Sequence, residues 1–200
     1  EQDFLGCSCG GRPGRGPHDA LDELGSIICR KGITHVLEAD ITGYYDAIVR
    51  DQLMEMIERR IRDGSILRLI RKWIYVGVIE EGRLLHTKTG TGQGQVISPV
   101  LANIYLHYVL DEWFENEVKP RLRGEAHIVR YIDDFVICFQ SREDAERVQK
   151  VLSKRLGKYG LTLHPEKTRL IEFGRTALQK WERRKGRKPD TFDFLGFTHV

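Results

Sequence analysis

Two β-rich apolar runs, Ala126–Tyr131 and Phe135–Phe139, are separated only by Ile132-Asp133-Asp134. Parallel strands need a crossover of a dozen or more residues, so three residues leave only an antiparallel hairpin with two acids at its tip. Acids are depleted within strands and adjacent carboxylates repel, so Asp-Asp between two apolar strands carries a cost. A divalent cation would offset that cost. A turn that merely favours Asp is the blander reading of the same residues.

The rest of the chain alternates helices with short strands. Residues 1–17 are rich in Gly, Pro and Arg and read as loop. Leu21, Leu24, Ile27 and Ile28 fall at helical spacing within His18–Lys31, and Gly32 follows as a stop. His35–Ile41 reads as a strand that ends on Asp40 and Ile41. Helices are predicted over Gln52–Arg62 and Ile66–Tyr75, and a hairpin over Val76–Glu80 and Arg83–Thr87. Ser98 is placed to cap a helix that has Pro99 at its first position and runs to about Val118. Ser141-Arg-Glu-Asp144 has the pattern of a capping box for a helix reaching Tyr159, with Gly160 as its stop. Short strands are expected at Leu161–Leu163, Arg169–Phe173 and Phe192–Phe197. Hairpins and neighbouring strands are frequent, which predicts an α+β fold: a mostly antiparallel sheet with helices packed on one face.

With 40% hydrophobic and 30% charged residues in 200, the composition is globular. Apolar runs such as Phe135–Phe139 fall far short of the roughly 20 residues a membrane-spanning helix needs, so no membrane partner is expected. The chain opens on Glu1 without a charged-then-apolar leader and stops on Val200 in a strand-like stretch, which reads as a domain cut from a longer chain. Cys7-x-Cys9 lacks the spacing of a zinc knuckle, and with Cys29 and Cys138 it reads as incidental free thiols in a reducing compartment, the cytoplasm. Charge is uneven. Residues 175–188 hold seven cations against the single acid Glu182, a local +6 in a chain whose formal total is +3, so the remainder carries −3. That basic strap suits a phosphate backbone and equally suits a solvated loop.

Several motifs then fall in order. Tyr131-Ile-Asp-Asp134-Phe135 resembles the Tyr-x-Asp-Asp signature of reverse transcriptases. Asp40-Ile-Thr-Gly-Tyr-Tyr45-Asp-Ala-Ile48 is similar to their first catalytic block. Gly90-Thr-Gly-Gln-Gly94 leading through Ser98-Pro99 to Asn103-Ile-Tyr105-Leu-His107 is close to their substrate loop and helix. Arg12-Pro-Gly-Arg15 with His18-Asp-Ala-Leu21 resembles the segment before those blocks. Leu161–Thr168 and Phe192–Phe197 resemble the closing ones. Together they resemble most the bacterial group II intron-encoded reverse transcriptases and maturases.

The resemblance implies a polymerase palm with part of the fingers: residues 1–34 as a partial fingers segment, 35–200 as palm with a fingers insertion around 76–95, and thumb and maturase domains absent. It implies two Mg²⁺ ions, replaceable by Mn²⁺, held by Asp40, Asp133, Asp134 and the Ile41 carbonyl. It implies Lys167 as proton donor to pyrophosphate, although a surface lysine reads as well. Tyr45 would sit under the sugar and exclude a 2′-hydroxyl, with adjacent Tyr44 competing for that role. Gln93 and Gly94 would pack beside the incoming nucleotide. Arg12, Arg15, Arg183, Arg184 and Lys185, and the hairpin Phe194-Leu195-Gly196, would contact nucleic acid. The implied partners are an RNA template, a DNA primer, deoxynucleotides and a structured intron RNA. Gly92 and Gly11 depart from the family's usual Pro and aromatic, and Gly16-Pro17 from its usual Ser-Ala. The rival reading, a non-catalytic RNA-binding module on the same fold, would not need all three aspartates.

Overall fold

The computed structural model describes residues 2–75, 78–80, 83–85, 89–91, 96–174 and 190–199. Its centre is a four-stranded antiparallel sheet in the order β4-β5-β1-β6, formed by β1 (His35–Ala39), β4 (Ala126–Tyr131), β5 (Asp134–Phe139) and β6 (Arg169–Glu172). Two separate hairpins, β2–β3 (Val78–Glu80, Arg83–Leu85) and β7–β8 (Phe192–Phe194, Phe197–His199), complete the strands. Helices are α1 (Pro17–Arg30), a short α2 (Tyr44–Ala47), α3 (Arg50–Glu58), α4 (Gly64–Ile74), α5 (Ser98–Leu106) and α6 (Arg142–Lys158).

The alternation of side chains along the strands feeds two cores. Leu37, Ala39, Ile128, Phe135, Ile137 and Phe139 point to one face and pack with α3–α6 around Leu53, Tyr105, Phe114 and Leu152. Val36, Val129, Val136, Cys138 and Ile171 point to the other. The expectation of helices on one face therefore needs an amendment. Most helices lie there, but the second face is covered by α1, through Ala20, Leu24 and Ile27, and by Phe192 and Phe194 of the β7–β8 hairpin. Both faces of β1 and β5 are apolar, so neither face can be left to water.

The helix ends show how local chemistry sets these elements. Asp19 accepts the Gly16 amide at 2.7 Å ahead of Pro17. Asp63 caps α4 by accepting the amides of Ser65 and Ile66. Gly160 ends α6 at φ 72°, where a Cβ would also meet Val49 at 2.8 Å. Three expectations are corrected. Ser98 is the first residue of α5 rather than its cap; Ile97 already has helical φ and ψ, so the helix starts a residue early. Asp144 does not close a capping box. Its carboxylate accepts the amides of Arg123 and Gly124, within reach of so short a side chain, while the Ser141 hydroxyl takes the Asp144 amide at 3.5 Å. Leu161–Leu163 is no strand but one bridge, Leu163 to Ile41. Beyond α5 the chain stays helical to Arg121, with π-helical turns at His107–Asp111 and Phe114–Val118.

Candidate active site

The β1–β5 ladder pairs Ala39 with Phe135. One step further along this register, Asp40 stands across from Asp134, on the face shared with Glu38. The tip is tighter than the sequence suggests: Tyr131 pairs with Asp134, so the turn is only Ile132-Asp133 and Asp134 opens β5. A first turn residue with positive φ is the geometry that favours Gly, yet Ile132 occupies it at φ 58°. A β-branched side chain there is strained, on the order of 1–3 kcal/mol, and persists only where its surroundings hold it.

The three aspartates sense one another. Burial raises the pKa of the Asp133 carboxyl, and Asp40 raises it further. Asp134 is raised by loss of hydration, then by Asp133 and Asp40, with Lys167 opposing. Lys167 Nζ lies 3.0 Å from Asp40 Oδ2, and this contact raises the lysine's own pKa. The two hydrogen bonds between β1's extension and residues 162–164, Thr42 N–H to Thr162 and His164 N–H to Asp40, flank Ile41. Ile41's own carbonyl therefore faces the other way, toward the Asp133 turn.

A cleft of about 390 Å³ opens over these residues, lined by Asp40, Asp134, Glu166, Lys167, Arg169, Asp193, Phe194 and Leu195 among others. Its far wall is the β7–β8 hairpin, whose two-residue turn has Leu195 at φ 53° and Gly196 at φ 80°. Phe194 is buried in the second core, whereas Phe197 is 54% exposed beside the turn. Among the described residues, the non-glycine residues with positive φ are Ile132 and Leu195. Both lie at hairpin turns, one carrying the aspartates and one lining the cleft.

The structure separates the two tyrosines. Tyr44 is buried and donates its hydroxyl to the Ala102 carbonyl at 2.6 Å, an anchor in the core. Tyr45 is half-buried, and its pKa is raised by burial and then by the charge of Asp133. Thr91 N–H binds the Tyr45 carbonyl, so the glycine-rich segment departs from this point. Gln93 and Gly94, like Arg183, Arg184 and Lys185, lie outside the described residues. Arg12 and Arg15 bond to their own loop: half-buried Arg12 donates to the carbonyls of Leu5 and Ser8, and exposed Arg15 to that of Gly6. Their guanidinium groups knit the N-terminal loop together.

One feature escaped the sequence reading. Arg130, next to the signature tyrosine, is fully buried and paired bidentately with Asp111, with Asn103 and Ser8 as further partners. Only the apolar context of β4 hinted that a cation there must find partners inside.

A palm-like antiparallel sheet that sets Asp40 and Asp134 in one cleft, with Asp133 at the adjoining turn, is the layout of a nucleotidyl-transferring polymerase. The chain belongs to the family described as reverse transcriptase (RNA-dependent DNA polymerase), which it matches over residues 7–199. It is 31% identical to Protein YkfC of Escherichia coli K12 over 85% of this chain and 52% of that protein. It is 28% identical to the group II intron-encoded protein LtrA of Lactococcus lactis over 87% of this chain and 30% of that protein. The chain thus spans about half the length of the first relative and under a third of the second. Apo telomerase of Candida tropicalis, truncated from its C-terminal domain, shares the fold with a TM-score of 0.70 at 18% identity, covering 96% of this chain and 39% of that one. The chain is a reverse transcriptase domain, similar to that of a group II intron-encoded protein.

Proposed function

We propose that this domain transfers deoxynucleotides to the 3′-hydroxyl of a DNA primer on an RNA template, within a protein that also engages a structured intron RNA. The observation that carries the reading is that the sheet sets Asp40, far away in sequence, across from Asp134 of the Asp133-Asp134 turn, with Asp40 and Asp134 lining one cleft. Among the described residues no three His, Cys, Asp or Glu side chains form a ready metal cage. Mg²⁺ commonly takes one or two carboxylates and completes its shell with water and substrate phosphates. The Lys167 ammonium, 3.0 Å from Asp40 Oδ2, already answers the negative charge of Asp40, the place a cation would take. Asp40, Asp133 and the Ile41 carbonyl would hold two ions, with Asp134 in support. When bound, such ions lower the pKa of the attacking hydroxyl and neutralise the leaving pyrophosphate.

The chain's own groups do the rest. Asp40 and Asp133 supply fixed negative charge. Lys167, charged and at the cleft, moves from Asp40 onto the triphosphate and gives its proton to pyrophosphate. The Tyr45 ring fills the space a ribose 2′-hydroxyl would need. The β7–β8 hairpin, with Phe197 exposed, supports the primer strand. Among the described residues no helix is long and apolar enough to cross a membrane, and the four cysteines are free, which fits a reducing compartment such as the cytoplasm.

Primer extension tests the reading. Asp133→Asn removes one charge without bulk and should lower the rate on the order of 10²–10³-fold, as loss of a preorganised charge-stabilising group does. A wild-type rate in that variant would end the assignment. Tyr45→Ala should relax discrimination against ribonucleotides while leaving deoxynucleotide addition in place, read as the ratio of kcat/KM for the two.

A further inference from the structure

The guanidinium of Arg130 has five N–H groups, and all five are used inside the protein. Nε and Nη2 hold Asp111 at 2.8 and 2.5 Å, Nη2 also reaches the Ser8 hydroxyl at 2.8 Å, and Nη1 reaches Asn103 at 2.9 Å. The fifth bond runs from Nη1 to the carbonyl of Ile132 at 2.7 Å. The backbone of Arg130 is fixed as well: its amide donates to Cys7 and its carbonyl accepts from Cys9, both at 2.8 Å. Asn103 then donates its side-chain amide to Gly10, and Gly10 lies so close to the turn that a Cβ there would stand 2.6 Å from the Ile132 nitrogen.

A buried ion pair is by itself weak evidence of stability, because desolvation of both charges offsets their attraction. What is informative here is where the spare donor points. Asp111 neutralises the charge, and Ser8 and Asn103 tie in the N-terminal loop and α5. The remaining bond grips the carbonyl of the strained residue that immediately precedes Asp133 and Asp134. Gly10 closes the other side. Ile132 is thus clamped between a fixed donor and a backbone with no side chain.

We propose that Arg130 is the positioning residue of the Asp133–Asp134 turn, acting through the Ile132 carbonyl with Gly10 as its backstop. The proposal rests on the polymerase reading above, in that the turn is taken to hold the metal ions. It touches no substrate. Its role is to hold Ile132 at positive φ, so that the two carboxylates stay aimed at Asp40 before any cation arrives.

The test uses the full chain and removes both buried charges together, Arg130→Met with Asp111→Leu, because paired apolar replacements of similar volume often preserve stability. Three quantities are read: amide hydrogen exchange at Ile132 and Asp133, Mn²⁺ affinity from the spin resonance of free Mn²⁺, and the kinetic split in primer extension. Exchange at the turn should quicken and Mn²⁺ binding weaken, each about tenfold, the scale of one lost buried hydrogen bond. The value of kcat should fall while template–primer Kd stays within about twofold. A folded double variant with wild-type exchange and Mn²⁺ affinity overturns the proposal. Should that variant fail to fold, Gly10→Ala presses on the same turn without touching a charge. It should give the same three changes, and wild-type values in it overturn the proposal equally. Failure of the polymerase reading shows separately, as an Asp133→Asn protein that extends primers normally; turn exchange still reports Arg130's hold on Ile132.

Discussion

Burial, then Asp40 for Asp133 and both Asp133 and Asp40 for Asp134, pushes these carboxyls above the ordinary aspartate value of 3.8. The folded chain binds these two protons more tightly than the unfolded one. Their contribution to stability is therefore greatest in acid and is lost as pH rises from 3.8 through the higher folded values. Asp134→Asn should accordingly stabilise the metal-free protein at pH 7 and do nothing at pH 3, where the carboxyl is protonated in both states. The gain is a rise in Tm at pH 7 that is absent at pH 3, kept small because the Asp134 side chain is exposed. Thermal melts in chelator at the two pH values check it. Metal binding has the opposite slope, since only ionised carboxylates ligate, so Mn²⁺ affinity should fall as pH drops through the same window. The aspartates were legible in the sequence through the ordered motifs around them, since Asp-Asp between apolar strands reads on its own as a plain turn as readily as a site. Arg130 was not: its partners Ser8, Asn103 and Asp111 lie 122, 27 and 19 residues away, and no periodicity records such a network.

The elements were legible where local chemistry alone sets them. Gly32 and Gly160 follow helix ends as their backbone preferences dictate, and two apolar runs three residues apart mark the Ala126–Phe139 hairpin to within a residue, whereas Pro17 opens α1 and was read as loop. Reading failed where tertiary partners outbid the local pattern. Asp144 is the clear case, since its spacing after Ser141 suggests a cap while its carboxylate serves two amides of the loop before β4. Asp144 is buried, so Asp144→Ala should cost about 1–3 kcal/mol, the penalty for leaving buried donors without their acceptor. Asp144→Asn, which keeps one carbonyl oxygen, should cost less. Urea unfolding of both variants gives the comparison, and equal losses would point to helix capping instead. The π-helical turns after α5 were likewise hidden, because apolar periodicity cannot distinguish a π from an α turn. They nevertheless bring Asp111 onto the face where Arg130 waits.

At the scale of the whole molecule, the cleft poses an electrostatic problem. Glu38, Asp40, Asp134, Glu166 and Asp193 line it against Lys167 and Arg169, and both cations are already paired, with Asp40 and Glu38. Such a cleft attracts metal ions and repels the phosphate backbone of a template–primer duplex. Arg12 and Arg15 of the N-terminal loop are not among the residues that line the cleft. Cations to hold the duplex must come from elsewhere. The densest supply in the sequence is 175–188, which joins the Lys167 segment to the β7–β8 hairpin, the two flanks of the cleft. Neutralising Arg183, Arg184 and Lys185 together should weaken template–primer binding to the same degree for every sequence, since phosphates carry no base identity. If each contacts one phosphate, the slope of log K against log salt should flatten by roughly two to three units, at about 0.7–0.9 per contact. Fluorescence anisotropy titrations across a salt series measure that slope. An unchanged slope would assign these residues to a solvated surface and move the search for the duplex-holding cations beyond this chain's cleft.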